Sequence, residues 1–248
     1  MKLVRSLTGA ALAGALVLAV AAPAAASTPE TTLRAFHDSP DTGKVELLVN
    51  GAPAGIQLSY PDATPYIKLP VGAKVTVRII EGTGTGAALD ITVPASTRPL
   101  TVAAIGSLTA LVDGNPANDG QALRLKAYAD RAGVWGNWAL LRVNHTSPDA
   151  PAVDVQVRLG GYWVTVIRSL DFAESSAYLP LPQKNPWTGK LINYSFRVKV
   201  SGTSTVVTQV TTPLPNKAQS VWAIGFASKL GTTAPDAFGL KITKDGAN

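Results

Sequence analysis

Cysteine is absent from the 248 residues, and histidine (2) and methionine (1) are nearly so. Disulfides, thiolate zinc sites, iron–sulfur clusters and cysteine nucleophiles are thereby excluded, and two imidazoles cannot make a three-histidine metal site. Charge is also scarce, at 15% of residues, while Gly (22) and Pro (18) are plentiful. That balance argues against a helical bundle or coiled coil. What is abundant is apolar: hydrophobic residues make up 46%, a globular content that excludes a disordered polyelectrolyte. The length allows one large domain or two of about 100–150 residues.

The first 26 residues have the layout of a secretory signal peptide. Lys2 and Arg5 precede an apolar run from Leu7 to Val20, and Ala24-Ala25-Ala26 offers small residues for cleavage. A membrane anchor would need about 20 apolar residues, and Pro23 ends this run early. No later segment is apolar enough to span, so the mature chain is expected to have no transmembrane segment. It is expected to be secreted, or held at the cell surface without a covalent anchor.

Basic residues are unevenly placed. Residues 27–130 carry eight Lys and Arg against ten Asp and Glu, whereas residues 131–248 carry twelve against six. They are scattered singly, however, which favours solvated strand faces over nucleic-acid binding.

The chain repeats itself. Leu33-Arg34-Ala35-Phe36-His37-Asp38-Ser39-Pro40-Asp41 aligns with Leu141-Arg142-Val143-Asn144-His145-Thr146-Ser147-Pro148-Asp149. Val75–Arg78 aligns with Tyr194–Arg197, Ala104-Ile105-Gly106 with Ala223-Ile224-Gly225, and Ala122–Lys126 with Ala237–Lys241. Copies of this length are too long for solenoid units. The predicted organisation is a signal peptide (1–26), a first domain (27–130), a linker (131–138) and a second domain (139–248). Within each copy, Val45–Val49 and Val153–Val157 show alternation or near-alternation, and β-branched runs end at Gly, Pro, Asn or Asp. Gln121–Arg131, helical or extended by composition, reads better as a strand. The fold class predicted is all-β: two tandem immunoglobulin-like antiparallel sandwiches, with a small barrel as the alternative.

His145-Thr146-Ser147-Pro148-Asp149-Ala150-Pro151-Ala152-Val153-Asp154-Val155 resembles the opening motif of the bacterial family called domain of unknown function 4397. The first copy keeps the His, Ser, Pro and Asp but departs after Asp41. The resemblance covers nearly all of residues 31–246. It implies a β-sandwich in a secreted or surface-attached protein, and it supplies no activity.

The His-x-Ser-Pro-Asp element brings the residue types of a hydrolytic triad within five positions in both copies. Pro40 and Pro148 restrict the preceding serine to extended backbone, and no nucleophile elbow is present. His37 and His145 share a strand face with aliphatics. The expected role of His37, Ser39, Asp41, His145, Ser147 and Asp149 is therefore a structural turn motif, with no catalytic residues. No metal site is expected, since one imidazole per domain beside carboxylates is a weak ligand set. Asp113–Gly120 is acidic and Gly-rich but lacks the terminal Glu of a calcium loop. No cofactor is implied.

All five tryptophans lie in the second half. Trp222, in an apolar run, is expected in the core, and Trp135 and Trp138 between the domains. Trp187 lies in a polar loop with Lys184, Asn185 and Lys190, and Tyr162-Trp163 follows the Gly160-Gly161 turn. These six form the candidate ligand-binding set, with the first domain as spacer. The predicted function is a non-enzymatic surface module for adhesion to an envelope or matrix component, glycan or protein. A structural assembly or spacer subunit is the alternative, and a secreted hydrolase the remote one. Strand parity also predicts that Arg34 and Glu46, and Arg142 and Asp154, face outward and are cross-strand neighbours in at least one copy.

Overall fold

The computed structural model describes residues 28–113, 115, 120–134, 136–215 and 217–246. The signal peptide over 1–26, most of the Asp113–Gly120 turn and Trp135 lie outside the described residues.

The fold is all-β, with two copies of one two-sheet sandwich. In the first copy, β1 (Glu30–Asp38), β4 (Ile67–Pro70), β7 (Leu100–Ile105) and β8 (Arg124–Ala129) form one sheet, ordered β4-β1-β7-β8. Its partner sheet holds β2 (Lys44–Val49), β3 (Ala52–Leu58), β5 (Lys74–Glu81) and β6 (Ala88–Thr92), ordered β3-β2-β5-β6. The second copy repeats the plan. There β9 (Trp138–His145), β12 (Leu179–Pro182), β15 (Ala218–Ile224) and β16 (Gly239–Lys244) are ordered β12-β9-β15-β16. Facing them, β10 (Val153–Leu159), β11 (Tyr162–Leu170), β13 (Asn193–Val200) and β14 (Val206–Pro213) are ordered β11-β10-β13-β14. Pairing is antiparallel except that β1 runs parallel to β7, and β9 to β15. The segment read as extended within Gln121–Arg131 is β8. One short helix, α1 (Leu108–Val112), follows β7.

Alternation explains each core. Leu33 and Ala35 of β1, Val45 and Leu47 of β2, and Val75, Val77 and Ile79 of β5 all point between the first copy's sheets. Leu141, Val157, Tyr194 and Phe196 do the same in the second. The other faces of β1 and β9 are buried too, because the two sandwiches pack against each other there. Phe36, Ala103, Ile105 and Tyr128 of the first copy form one cluster with Ala173, Trp222 and Ile224 of the second. Trp222, with no exposed surface, meets Phe36 and Tyr128 edge-on, with ring centroids 4.9 and 5.1 Å apart.

Beside this cluster the copies exchange charges reciprocally. Arg34 reaches into the second copy and donates to Asp245 Oδ1 (2.8 Å), Thr243 Oγ1 (2.9 Å) and the Lys244 carbonyl (2.6 Å). Arg142 reaches back and donates to Asp130 Oδ1 (2.5 Å) and the Ala129 carbonyl (2.7 Å). Tyr66 and Tyr178 each donate to one of these carboxylates at 2.6 Å and lie under the guanidinium of their own copy. Thr101 and Ser220 complete the two acceptor shells. Burial raises the pKa of Asp245, and the nearby Asp130 charge adds to the rise. Buried ions are tolerable only when partners fill their hydrogen-bonding capacity, and here they do.

This arrangement corrects the expected outward pairs. Arg34 and Arg142 are 4% and 3% exposed and bind the sister copy. Glu46 instead pairs with Arg78 across β2 and β5, while Asp154 accepts from the Ser169 amide and the Ser201 hydroxyl. β1 and β2 lie in different sheets, as do β9 and β10, so their side chains are not cross-strand neighbours. Trp138 is a second correction. It opens β9 opposite Pro182 and is half exposed, not packed between the copies.

Candidate functional site

The His-x-Ser-Pro-Asp turns share one bonding plan in both copies. His37 Nε2 lies 2.9 Å from the Gly43 carbonyl, and His145 Nε2 3.1 Å from the Pro151 carbonyl. Both rings are buried, and desolvation lowers both pKa values. Ser39 donates to the Gly106 carbonyl (2.7 Å) and Ser147 to the Gly225 carbonyl (2.5 Å). Gly106 and Gly225 have φ of +95° and +76°, and a Cβ on either would strike the carbonyl of Ala122 or Ala237. Asp41 accepts from the Leu108 and Thr109 amides and the Ser107 hydroxyl, capping α1. Asp149 accepts from the Ala227 and Ser228 amides at the matching 3-10 turn. In each copy the main bonds of the three side chains go to separate places: the histidine to the carbonyl six residues on, the serine to the glycine carbonyl, the aspartate to the helical turn; in the first copy Ser39 also lies 3.4 Å from Asp41 Oδ1. A nucleophile–base pair needs a mutual hydrogen bond, which this arrangement does not make. Among the described residues, no three His, Asp or Glu side chains gather as a metal site.

The tryptophan loop is ordered and exposed. Asn185 Oδ1 accepts from the amides of Trp187 (2.9 Å) and Thr188 (3.1 Å). The Asn185 amide donates to the Lys190 carbonyl, and the Gly189 amide to the Asn185 carbonyl. Lys184 bridges to Leu191, closing the loop as a small hairpin. Trp187 stands at its tip with 92% of its surface exposed, and Lys184 and Lys190 are exposed beside it.

The topology puts this loop and the Gly160-Gly161 turn at the same end of the second sandwich. β10 ends at Leu159 and β13 begins at Asn193, and the register Val157↔Phe196 sets these termini level. Asn193 also pairs with Pro213, so the loop leaving β14 emerges there. Tyr162 is 79% exposed. Trp163 belongs to the other face: it pairs with Arg158, and the Arg197 guanidinium covers its ring at 4.4 Å. The two aromatics of that turn therefore point to opposite sides of the sheet, and Tyr162, with exposed Leu159, is the one turned away from Arg197.

Charge divides along the same axis. Segments 158–162, 183–193 and 213–218 contain Arg158, Lys184, Lys190 and Lys217 and no acidic residue. The acids Asp149, Asp171, Glu174 and Asp236 lie in loops at the opposite end. Leu159, Leu191, Arg158 and Lys217 were not among the residues singled out from sequence. They come from three separate stretches of the chain, Arg158 and Leu159 closing β10, and only the antiparallel register brings them to one end.

The fold and these sites define a two-copy β-sandwich whose repeated polar motif serves its own turns. The chain belongs to the family "Domain of unknown function (DUF4397)", whose pattern matches residues 31–156 and 139–238. The overlap lies over the opening strands of the second copy. No curated protein matches the chain. Solved structures that it resembles include the tip fimbrial protein Mfa3 of Porphyromonas gingivalis (14% identity, TM-score 0.26, covering 88% of this chain and 99% of that one). A candidate adhesin of Bacteroides ovatus (10%, TM-score 0.25, 87% and 93%) and two B repeat units of the Staphylococcus aureus collagen-binding protein (12%, TM-score 0.19, 88% and 64%) are also similar. At these scores nothing about activity or partners carries over.

Proposed function

We propose that this chain is a secreted, non-enzymatic surface module that holds an acidic glycan of the cell envelope or matrix at the basic, aromatic end of its second copy. One observation carries the reading: a loop fixed by four hydrogen bonds through Asn185 presents Trp187 almost wholly to solvent. An indole held this way is pre-organised to stack on a sugar ring, and little ordering entropy is lost on binding. Lys184 and Lys190 flank it, and Arg158 and Lys217 share its end, so carboxylates or phosphates on the polymer meet cations, while Asp245 at the same end is buried and paired with Arg34. The domain partition at 27–130 and 139–248 assigns the first copy the role of a support bolted to the binding copy.

The test is a pull-down of the full chain on insoluble wall and matrix polysaccharides, acidic and neutral. Trp187→Ala should fold with an unchanged melting temperature and lose binding by about tenfold or more. Binding of the parent protein should weaken with salt. Equal retention of Trp187→Ala on every acidic polymer would refute the site and leave a structural assembly role.

A further inference from the structure

The second sandwich holds a cavity much larger than its counterpart in the first. Between β14 and β16, at the two sheet edges, lies a space of about 250 Å³. Leu141, Val143, Val155, Phe196, Val221 and Leu240 are among its walls, and among the described residues no charged side chain lines it. Its polar groups are Thr208, Thr212 and Gln219. Val210 and Ile242 line it and also reach solvent, being 37% and 50% exposed, so its mouth is apolar.

In the first copy the corresponding seam is closed. β6 packs against β8, and the space left is about 40 Å³. Residue by residue the cause is visible. Val77 faces Leu89 and Val75 faces Ile91, whereas the matching Phe196 and Tyr194 face Val210 and Thr212. On the edge strand both exchanges shorten the side chain, Leu89 to Val210 and Ile91 to Thr212, while on its inner neighbour Val77 and Val75 give way to the larger Phe196 and Tyr194. In the first copy α1 also supplies Leu108 to the core and Leu111 to the lining, while the 3-10 turn Ala227–Lys229 supplies nothing to the second cavity.

We propose that this slot binds a neutral, unbranched hydrocarbon chain. A dry apolar cavity of roughly 150 Å³ already admits benzene, so this one has room for more. Its wall along β14, from Thr208 to Thr212, is about 13 Å long at the usual strand rise, which suits an extended chain of about ten carbons. Without a cation in the lining, an anionic head group gains nothing there. The slot reaches the 213–215 stretch at the basic end, but Trp187 is not among its walls, so its occupancy does not depend on the tryptophan loop.

Calorimetric titration of the full chain with 1-decanol and with decanoate tests this. Decanol should bind at one site with a negative heat-capacity change, and decanoate more weakly by about tenfold or more. The double variant Val210→Leu/Thr212→Ile restores the first copy's side chains; it should melt no lower than the parent and lose decanol binding. Trp187→Ala should retain it, which separates this site from the glycan site. The proposal is overturned if decanol gives no saturable heat, if the double variant binds it equally, or if decanoate binds as well. Concentration-dependent self-association that the double variant abolishes would also overturn it, by showing that a second copy occupies the seam.

Discussion

Asp38 is fully buried at the junction of the copies, and neither of its carboxylate oxygens has a hydrogen-bond partner among the described residues. Thr146 is near, but its hydroxyl donates to the Ala223 carbonyl at 3.0 Å. Desolvation raises the Asp38 pKa well above its ordinary value. A folded-state pKa above the unfolded one means that the native state holds the extra proton, so stability falls as pH rises above about 4. Asp38→Asn should therefore stabilise the protein at pH 7 by about 1–3 kcal/mol, with a smaller gain at pH 4. Urea titrations at the two pH values check this. The histidines act with the opposite sign. Their pKa values are lowered by burial, so their contribution is lost as pH falls below about 6.5. His145→Ala should cost about 2–4 kcal/mol, through the cavity and an unpaired Pro151 carbonyl, and a loss under 1 kcal/mol in urea unfolding would contradict that role.

At the scale of elements, strand parity was legible and its meaning was only half so. Leu33, Ala35 and His37 alternate with Arg34, Phe36 and Asp38, and alternation assigns the first set to the sandwich interior. It cannot say whether the second set meets water or another sheet, and the outward ion pairs were misplaced for that reason. A signal was nevertheless present. The repeat aligns Arg34 with Arg142 and Asp130 with Asp245, and charges matched beside otherwise apolar strands point to a shared interface. The exposed end of the second copy was legible only as single loops, because register, which sequence does not print, gathers them. The turn motif permits an element-scale prediction. Burial opposes ionisation of Asp41, but hydrogen bonds from Ser107, Thr109 and Leu108 outweigh it and lower the pKa. Asp41→Ala should cost about 1–2 kcal/mol at pH 7, and the difference should fade as pH drops below about 3.9, where the unfolded carboxylate also protonates.

At the scale of the molecule, the crossed pairs Arg34–Asp245 and Arg142–Asp130 make the two sandwiches one body. Calorimetry should show one cooperative transition. Arg142→Ala leaves Asp130 buried beside only Tyr66, Thr101 and the more distant Arg34, and should cost about 3–5 kcal/mol. Two well-resolved transitions in the parent protein would mean that the copies unfold independently. On this rigid support, the functional claim rests on which surface meets a ligand, and the tryptophans report it. The most direct measurement is a two-dimensional nitrogen–proton NMR titration of the indole signals with an acidic oligosaccharide. The account predicts that the Trp187 signal shifts and saturates while that of Trp222, buried between the copies, stays fixed. A saturating titration that leaves Trp187 unmoved would contradict it.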